Sequence, residues 1–376
     1  MIAGIIAEFN PLHSAHKYLI DCARQNGADI VVCVMSGNFV QRGEGAFFTK
    51  WARTQAALKC GADIVIELPV RYSMATAMKF ALGAVKLLDG INADCIYFGS
   101  ECGDENLIKE VADKIQKSDE KILSLLKEGI SYASARQKAV GSEILSNPND
   151  TLAVEYVNAI SRINSNMKFK AIKRIGAKHD SQEQNEFCSA SYLRNNLDKL
   201  EQFVPKAAYN IYKNEIEKGL VYDYNKVHLP ILIKLRSMTK GEIECLPDIS
   251  EGLGDRLFNA AKVSTSYDEL INNSKSKRYT EARIRRILMS ALLGIDKSKI
   301  DCLPTYIKVL GFNQKAKYLF KSAKLPIIMR ANDINSLDNF SKLEYNLECK
   351  VDDIYSLLLK TGLQCGITKT QPIIKE

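Results

Sequence analysis

Several features that mark common classes of protein are scarce in this 376-residue chain. It has one tryptophan and four histidines, and none of its ten cysteines forms a CxxC pair. No stretch approaches the roughly 20 apolar residues that a membrane-spanning helix needs. The first residues, MIAGIIAEFNP, include no basic segment, so we expect no signal peptide. The scattered thiols argue against a disulfide framework or a zinc site and predict a reducing cytoplasm.

The chain also lacks internal repeats and low-complexity linkers. Its length exceeds that of a usual single domain, so two domains with a sizeable core are expected. The formal net charge is +8, from 52 basic and 44 acidic residues. This excess is compatible with a polyanionic partner, although charge alone specifies neither fold nor partner.

The first hundred residues alternate short apolar runs with amphipathic segments. The apolar runs are rich in β-branched residues and span residues 2–7, 29–35, 62–69 and 93–99, and helical patterns cover residues 13–25, 50–60 and 73–88. Near-continuous apolar strands separated by helices indicate a parallel sheet covered on both faces, a doubly wound α/β fold. Such sheets bind ligands at the carboxyl ends of their strands.

The remaining pattern is mostly helical. A fifth strand is predicted at residues 169–175, and Ser189 or Ser191 offers a cap for the helix that follows it. Beyond residue 200 helical periodicity dominates and strand candidates are few. We therefore predict an α/β domain over residues 1–200 and a second, α-rich domain over residues 201–376.

Half of the histidines lie in EFNPLHSAH, directly after the first predicted strand. His13 and His16 are three residues apart, so on a helix the two imidazoles share one face. A helix N-terminus favours a phosphate through its unpaired N–H groups and its dipole, and two imidazoles add hydrogen-bond donors for a polyphosphate. The alternative is a pair of histidines without a role. Zinc is disfavoured because HExxH is absent and no third ligand lies nearby, so no metal site is predicted.

The segment EFNPLHSAH resembles the HxGH signature of the nucleotidyltransferase superfamily. SASYLR, residues 189–194, is similar to a second superfamily element that opens a later helix. The resemblance implies a Rossmann-like fold in which the motif's histidines contact ATP phosphates. They would stabilise attack at the α-phosphate, with release of pyrophosphate.

Further segments resemble one family, the bacterial tRNA(Met) cytidine acetate ligases, over most of the chain. They are GIIAEFNP, MSGNFVQRGE, GADIVIELP, YFGSE, SNPNDTLAVEYV, KRIGAKHDS, KRYTEARIRRILMSALLGI and YIKVLGFNQKAK. The resemblance implies a cytoplasmic enzyme that uses ATP, with Mg²⁺, to activate acetate as acetyl-adenylate without acetyl-CoA. It would then acetylate N4 of the wobble cytidine of elongator tRNA(Met). Neither a membrane nor a protein partner is expected.

The same resemblance assigns site residues. The expected catalytic residues are His13 and His16, and the expected ATP-binding residues are Ala7, Glu8, Phe9, Asn10, Pro11, Leu12, His13, Ser14, Ala15, His16, Lys17, Tyr18, Leu19, Ile20, Gly99, Asn149, Arg174, Ile175 and Arg194. Ordinary alternatives remain for some of them, such as a strand-end glycine at 99, a helix cap at 149 and a solvated arginine at 194. The family usually has HNGH where this chain has HSAH. If that glycine serves to let the backbone approach the nucleotide, the methyl group of Ala15 would weaken ATP binding or shift its pose, although alanine is the smallest intrusion and both histidines remain.

The loop SGNFVQRGEG follows the second predicted strand and should border the same crevice. A small carboxylate needs a tight pocket with a cationic or amide partner, and the expected acetate-binding residues are Ser36, Asn38, Gln41 and Arg42. A flexible surface loop is the alternative. Lys50 and Arg53 on the next helix are candidates for phosphate or RNA contacts, whereas Trp51 is expected in the core.

For RNA, the most basic stretch is KSKRYTEARIRR, residues 275–286, with one acidic residue. The expected tRNA-binding residues are Lys275, Lys277, Arg278, Arg283, Arg285 and Arg286. A charged, solvated helix face is the alternative. Two other functions also remain open, a small-molecule adenylyltransferase of the same superfamily and a tRNA-binding protein that has lost catalysis.

Overall fold

A computed structural model of the chain describes residues 1–127, 130, 132–174, 188–250, 252–276, 278–299 and 302–376. Within these residues the main sheet has the strand order β10-β8-β5-β2-β1-β6-β7, with β9 paired to β8. The main-sheet strands are β1 (Ile2–Ala7), β2 (Ile30–Ser36), β5 (Ile64–Leu68), β6 (Cys95–Ser100), β7 (Lys168–Lys173), β8 (Ile307–Phe312), β9 (Ile327–Ile328) and β10 (Ile374–Lys375). A separate two-stranded hairpin consists of β3 (Phe39–Val40) and β4 (Glu44–Gly45).

Helices cover both faces of the main sheet and form most of the C-terminal half. In the first half they are α1 (Ser14–Gln25), α2 (Lys50–Lys59), α3 (Val70–Ser73), α4 (Ala77–Gly90), α5 (Glu105–Gln116), α6 (Asp119–Lys127), α7 (Tyr132–Val140) and α8 (Pro148–Arg162). They continue with α9 (Ala190–Asn195), α10 (Leu200–Phe203), α11 (Lys206–Glu217), α12 (His228–Ser237), α13 (Lys240–Glu244), α14 (Leu253–Val263), α15 (Tyr267–Ser274), α16 (Glu281–Leu293), α17 (Asn339–Leu357) and α18 (Ile367–Thr370). No helix in these described ranges is long and apolar enough to cross a membrane.

The alternation of side chains along the central strand explains the two covered faces. Ala3 and Ile5 of β1 pack in one cluster with α1, α2 and α11, whereas Ile6 packs in another with α4 and α8. Because successive strand residues point to opposite faces, an apolar strand such as IAGIIA requires helices on both sides. β1, β2, β5, β6 and β7 are parallel to their neighbours in this set. The predicted doubly wound α/β fold is therefore confirmed.

The C-terminal part of the chain contributes to the same sheet. β8 lies antiparallel to β5, and β9 and β10 pair in parallel with β8. The sheet is therefore mixed at one edge, a feature that the sequence reading missed. A helical layer formed by α12 to α16 has its own apolar core, to which α17 contributes Val351 and Tyr355. The predicted division at residue 200 stays a prediction, and the two predicted parts share one sheet.

Candidate active site

A cavity of about 760 Å³ opens at the carboxyl ends of β1, β6 and β7. The N-terminal turns of three helices, α1, α8 and α9, contribute residues to its wall, as do the β3–β4 hairpin and α16. Converging helix N-termini favour an anion because their unpaired N–H groups and dipoles point outward. Phe80, Phe98 and Tyr156 line another part of the wall with aromatic rings. The cavity therefore combines a phosphate-binding region with surfaces suited to a planar base.

The two histidines meet at the first turn of α1. His13 is the N-cap residue, and its backbone N–H donates to Nδ1 of His16 over 3.2 Å. The ring centroids are 3.9 Å apart, and the edge of Phe9 packs against His16 at 5.1 Å. Because Nδ1 of His16 accepts a hydrogen bond, its proton is assigned to Nε2, which can donate to a ligand. Nδ1 of His13 is buried and has no hydrogen-bond partner in the described part of the chain.

Burial keeps both imidazoles neutral in the free protein. It lowers the pKa of His13 to about 3, with a further contribution from the positive charge of Arg174. The pKa of His16 is lowered well below its usual value, first by burial and then by electrostatic interactions with His13 and Arg174. A neutral imidazole donates one hydrogen bond from a fixed nitrogen. The pair is therefore arranged as neutral donors facing a site that already favours anions.

The depressed pKa of His13 predicts a loss of stability in acid. Between pH 6.5 and about 3 the unfolded chain binds a proton at this residue that the folded chain does not, so stability falls as pH falls. We expect His13→Asn, which keeps a good N-cap residue, to make the pH dependence shallower by about 1.4 kcal/mol per pH unit. Urea unfolding of both proteins at pH 7, 6 and 5 measures the two slopes. Equal slopes would contradict the assignment of a neutral, buried His13.

Positive charge dominates the wall of the cavity. Among the described residues that line the cavity, Glu8 is the one carboxylate. Five lining residues are basic: Arg42, Lys173, Arg174, Arg194 and Arg285. Arg194 donates to the backbone oxygen of Asn10 over 2.9 Å and pairs with Glu44 at 3.3 Å. Arg285 lies 3.6 Å from the other oxygen of Glu44. Glu44 therefore pairs with two arginines that line the cavity, and both guanidinium groups are candidates for contacts with a polyphosphate.

Most of the residues expected to bind ATP line this cavity. They are Ala7, Glu8, Phe9, Asn10, His13, Ala15, His16, Tyr18, Leu19, Gly99, Asn149, Arg174 and Arg194. The methyl group of Ala15 therefore belongs to the wall. Nδ2 of Asn149 donates to Glu101 over 2.6 Å, and the N-cap of α8 is its neighbour Asn147, so Asn149 is not the cap.

The other described members of that set do not line the cavity. Ser14 donates to the backbone oxygen of Phe203, and Lys17 pairs with Asp21 on the surface of α1. Side chains on the other faces of a helix cannot reach a ligand at its N-terminus. Pro11, Leu12 and Ile20 are buried and do not line the cavity, and Ile175 lies outside the described residues.

Of the four residues expected to bind acetate, two line the cavity and two do not. Gln41 and Arg42, at the tip of the β3–β4 hairpin, line the cavity. Ser36 and Asn38 are buried and do not line it; Nδ2 of Asn38 donates to Asp352 over 2.9 Å. The loop is also not a free surface loop, because Gly43, at φ +75°, packs against α16. A Cβ there would lie 2.4 Å from the backbone nitrogen of Arg286.

Two basic residues of α2 have different surroundings from those expected. Arg53 is fully buried and donates to the backbone oxygens of Phe48, Glu8 and Ser36, so it holds the loops after β1 and β2 together. Lys50 is also fully buried and pairs with Glu67 and Asp352. Neither lines this cavity and both are fully buried, so neither contacts a phosphate there or reaches the surface for RNA. Trp51 is half-buried rather than a core residue.

The basic stretch before and along α16 is partly engaged within the protein. Arg283 and Arg286 both bind Asp248, the first through its backbone oxygen and the second through its carboxylate. Arg285 reaches the cavity, which places α16 at its mouth. Lys275 lies 3.8 Å from Glu281, and Arg278 lies over the ring of Tyr279. Lys277 lies outside the described residues.

Several residues of the site escaped the sequence reading. They are Phe80, Phe98, Tyr156, Lys173, Glu44 and Glu101. Phe98 and Lys173 directly precede residues that were selected, and Glu44 ends the glycine-rich hairpin, so proximity to the motifs was the available signal. No group of three or more His, Cys, Asp or Glu side chains within the described ranges is arranged to hold a metal ion.

Comparison with known proteins agrees with this geometry. A model of the HIGH nucleotidyl transferase family matches residues 1–368. Proteins named tRNA(Met) cytidine acetate ligase from Acetivibrio thermocellus and Thermoanaerobacter sp. are 36% and 39% identical over 99% and 100% of this chain, and 99% of theirs. A crystal structure of Thermotoga maritima TmcAL bound with alpha-thio ATP is 30% identical, with a TM-score of 0.91 over 100% of this chain and 99% of that chain. The similarity to the family model and to these relatives extends over nearly the whole length, and the chain belongs to the tRNA(Met) cytidine acetate ligase family of HIGH nucleotidyl transferases.

Proposed function

We propose that this protein is an ATP-dependent ligase that activates acetate as acetyl-adenylate and acetylates N4 of the wobble cytidine of elongator tRNA(Met). The observation that carries the proposal is the pair of neutral histidines at the N-terminus of α1, His13 buried and His16 half-buried, facing a cavity with five basic side chains and one carboxylate. Full-length similarity to relatives with that name supports the choice of substrates.

The first step joins acetate to AMP. An acetate oxygen attacks the α-phosphorus of ATP, the bond to the β-phosphate oxygen breaks, and pyrophosphate leaves. The charge that develops on the phosphates would be stabilised by Nε2–H of His16, by the N–H groups of the α1 terminus and by Arg174, which line the cavity. Gln41 and Arg42 are the described candidates for holding the acetate carboxylate.

The second step transfers the acetyl group. The cytidine N4 amine attacks the carbonyl carbon of the mixed anhydride, the carbon–oxygen bond to phosphate breaks, and AMP leaves. No protein nucleophile is required, because the adenylate already has a good leaving group and the site needs only to position the amine. The cytidine would enter beside α16, which contributes Ala282 and Arg285 to the cavity wall.

Acetate, rather than acetyl-CoA, is the proposed acyl donor. The tRNA contacts are proposed for the C-terminal part of the chain, with Lys275 and Arg278 as its accessible basic residues. Mg²⁺ is proposed to arrive with ATP, held by the phosphates and water, as this ion prefers. Among the described residues, no group of three or more acidic, histidine or cysteine side chains is arranged to hold this ion.

Release of pyrophosphate from ATP tests the proposal against its two rivals. The protein is assayed with acetate, with other carboxylate or phosphate acceptors, and with or without tRNA(Met), and the RNA is digested to look for N4-acetylcytidine. Acetate-dependent release together with acetylated RNA supports the ligase. Release with another acceptor only, giving a product that retains AMP, favours a small-molecule adenylyltransferase. RNA binding without any release favours a tRNA-binding protein that has lost catalysis.

A further inference from the structure

A second cavity, of about 570 Å³, lies at the opposite edge of the sheet from the histidines. Its wall is formed by β8, the first turn of α2, the segment after β9, and the region from α18 to β10. It shares no residue with the cavity at the ends of β1, β6 and β7. Its volume falls within the range of roughly 300–1,000 Å³ that is typical of small-molecule sites.

The charge of this second cavity has one sign. No aspartate or glutamate lines it, whereas six basic side chains do: Lys50, Lys308, Lys317, Arg330, Lys369 and Lys375. Two of the four lysines in KVLGFNQKAKYLFK, residues 308–321, belong to this set. The other two differ, since Lys315 pairs with Asp63 and Lys321 does not line the cavity.

The basic residues of the floor and of the walls have different partners. On the floor, Lys50 and Lys308 are paired with Glu67 at 2.6 and 2.8 Å, and Lys50 also contacts Asp352. On the walls, Lys317, Lys369 and Lys375 have no ion-pair partner within 4.0 Å in the described part of the chain. The two lysines on the floor are therefore neutralised by buried carboxylates, whereas the three lysines on the walls keep an uncompensated positive charge.

Neutral groups complete the lining. Trp51 and Tyr345 present aromatic rings, and Gln314 and Gln371 add amide donors. Rings beside ammonium groups suit a ligand that combines a planar ring with a negatively charged group. Because the floor lies deep, with the Lys308 side chain 11% exposed, a compact molecule can reach it more readily than the surface of an RNA helix.

We propose that this second cavity binds a compact phosphate-bearing ligand with a planar ring, that is, a nucleotide, at a site separate from the catalytic one. The phosphate lies against Lys317, Lys369 and Lys375, and the ring lies beside Trp51. The same phosphate chemistry occurs in a free nucleotide and in an RNA strand, and the depth of the cavity favours the free nucleotide.

The single tryptophan of the chain makes the site directly observable. AMP is titrated into the full-length protein with excitation selective for tryptophan, and isothermal titration calorimetry of the same samples counts the sites. We expect a saturable change in Trp51 fluorescence. In the double variant Lys317→Gln/Lys369→Gln the affinity is expected to fall at least about tenfold, because two charge-assisted contacts to phosphate are lost.

A matched control is Lys315→Gln/Lys321→Gln, which removes the same charge at two positions that do not line the cavity. It is expected to retain the wild-type affinity for AMP, and circular dichroism checks the fold of both double variants. Equal weakening in both, or no fluorescence change and no second site in calorimetry, would overturn the proposal. A response to a single-stranded RNA oligonucleotide but not to AMP would overturn the choice of a free nucleotide. None of these results depends on whether the protein acetylates tRNA.

Discussion

Replacing Lys50 with methionine is expected to lower the free energy of unfolding by about 3–5 kcal/mol. The ammonium group of Lys50 is fully buried and lies 2.6 Å from Glu67, and it also contacts Asp352 of α17. Although burial alone would raise the pKa of Glu67, Lys308 and Lys50 together lower it to about 2. Without the lysine, the buried Asp352 loses its ion-pair partner and must either protonate or remain unpaired, and Glu67 keeps only Lys308. The expected decrease in the free energy of unfolding therefore comes mainly from the unpaired buried charge rather than from lost contacts of the lysine methylene groups.

Lys59→Met on the same helix is the matched control for Lys50→Met. Lys59 is 47% exposed and pairs with Glu376 at the surface, so its removal should cost less than about 1 kcal/mol. Urea unfolding at pH 7, followed by circular dichroism, measures both variants. Adding Asp352→Asn to Lys50→Met should recover part of the loss, because Asp352 has lost its ion-pair partner whereas Glu67 keeps Lys308. Similar small losses at positions 50 and 59 would contradict a tightly paired cluster.

His16→Ala is expected to lower kcat for acetate-dependent pyrophosphate release by about 10²–10³-fold, the usual effect of losing one positioned donor to a developing charge. The argument rests on a neutral Nε2–H donor, so His16→Gln, whose amide nitrogen can replace that donor, should retain more activity than His16→Ala. Initial rates of pyrophosphate release at saturating ATP and acetate provide the measurement.

His228→Gln is the control for the histidine variants. His228 stacks on Tyr267 at the start of α12 and does not itself line the catalytic cavity, so this variant should keep the wild-type rate. Thermal unfolding of each variant separates a loss of catalysis from a loss of fold. Full turnover by His16→Ala would remove the assigned role, and equal inactivity of the glutamine and alanine variants would argue against a neutral donor.

The sequence predicted the central part of this fold because its strands are buried on both faces. Observed strands begin and end within about two residues of all five predicted strands, as for Ile2–Ala7 and Cys95–Ser100. The helix after the first strand also begins one residue after His13, and Ser189 is the cap of α9. In each case a local signal, continuous apolar character or a cap residue, agrees with the tertiary structure.

The edge of the sheet could not be predicted in the same way. β8 pairs with β5 across more than two hundred residues, and β9 and β10 contain two residues each. Such short strands have no periodicity of their own and form only against an existing strand. The surroundings of Lys50 and Arg53 were also hidden, because their partners, such as Asp352, come from distant segments. A basic side chain on a helix looks solvated until the element that covers it is known.

The sequence motifs located the candidate site, but they did not show which side chains within each motif face the cavity. Motif residues at a strand end and a helix N-terminus, such as His13 and Gly99, do converge on one cavity. Within each motif, however, alternate residues face different surroundings, and Ser36 and Asn38 point into the protein while Gln41 and Arg42 reach the cavity. The direction of a side chain in a hairpin depends on register, which the sequence did not reveal.

The central claim is that acetate attacks the α-phosphorus of ATP in the cavity beside His13 and His16. The most direct measurement supplies acetate with ¹⁸O in both carboxylate oxygens, together with ATP and tRNA(Met), and analyses the AMP by mass spectrometry. If acetyl-adenylate forms and the cytidine amine then breaks its carbon–oxygen bond, one ¹⁸O atom remains in each AMP, and N4-acetylcytidine appears in equal amount. Unlabelled AMP alongside acetylated RNA, or labelled AMP without any acetylated cytidine, would contradict the account.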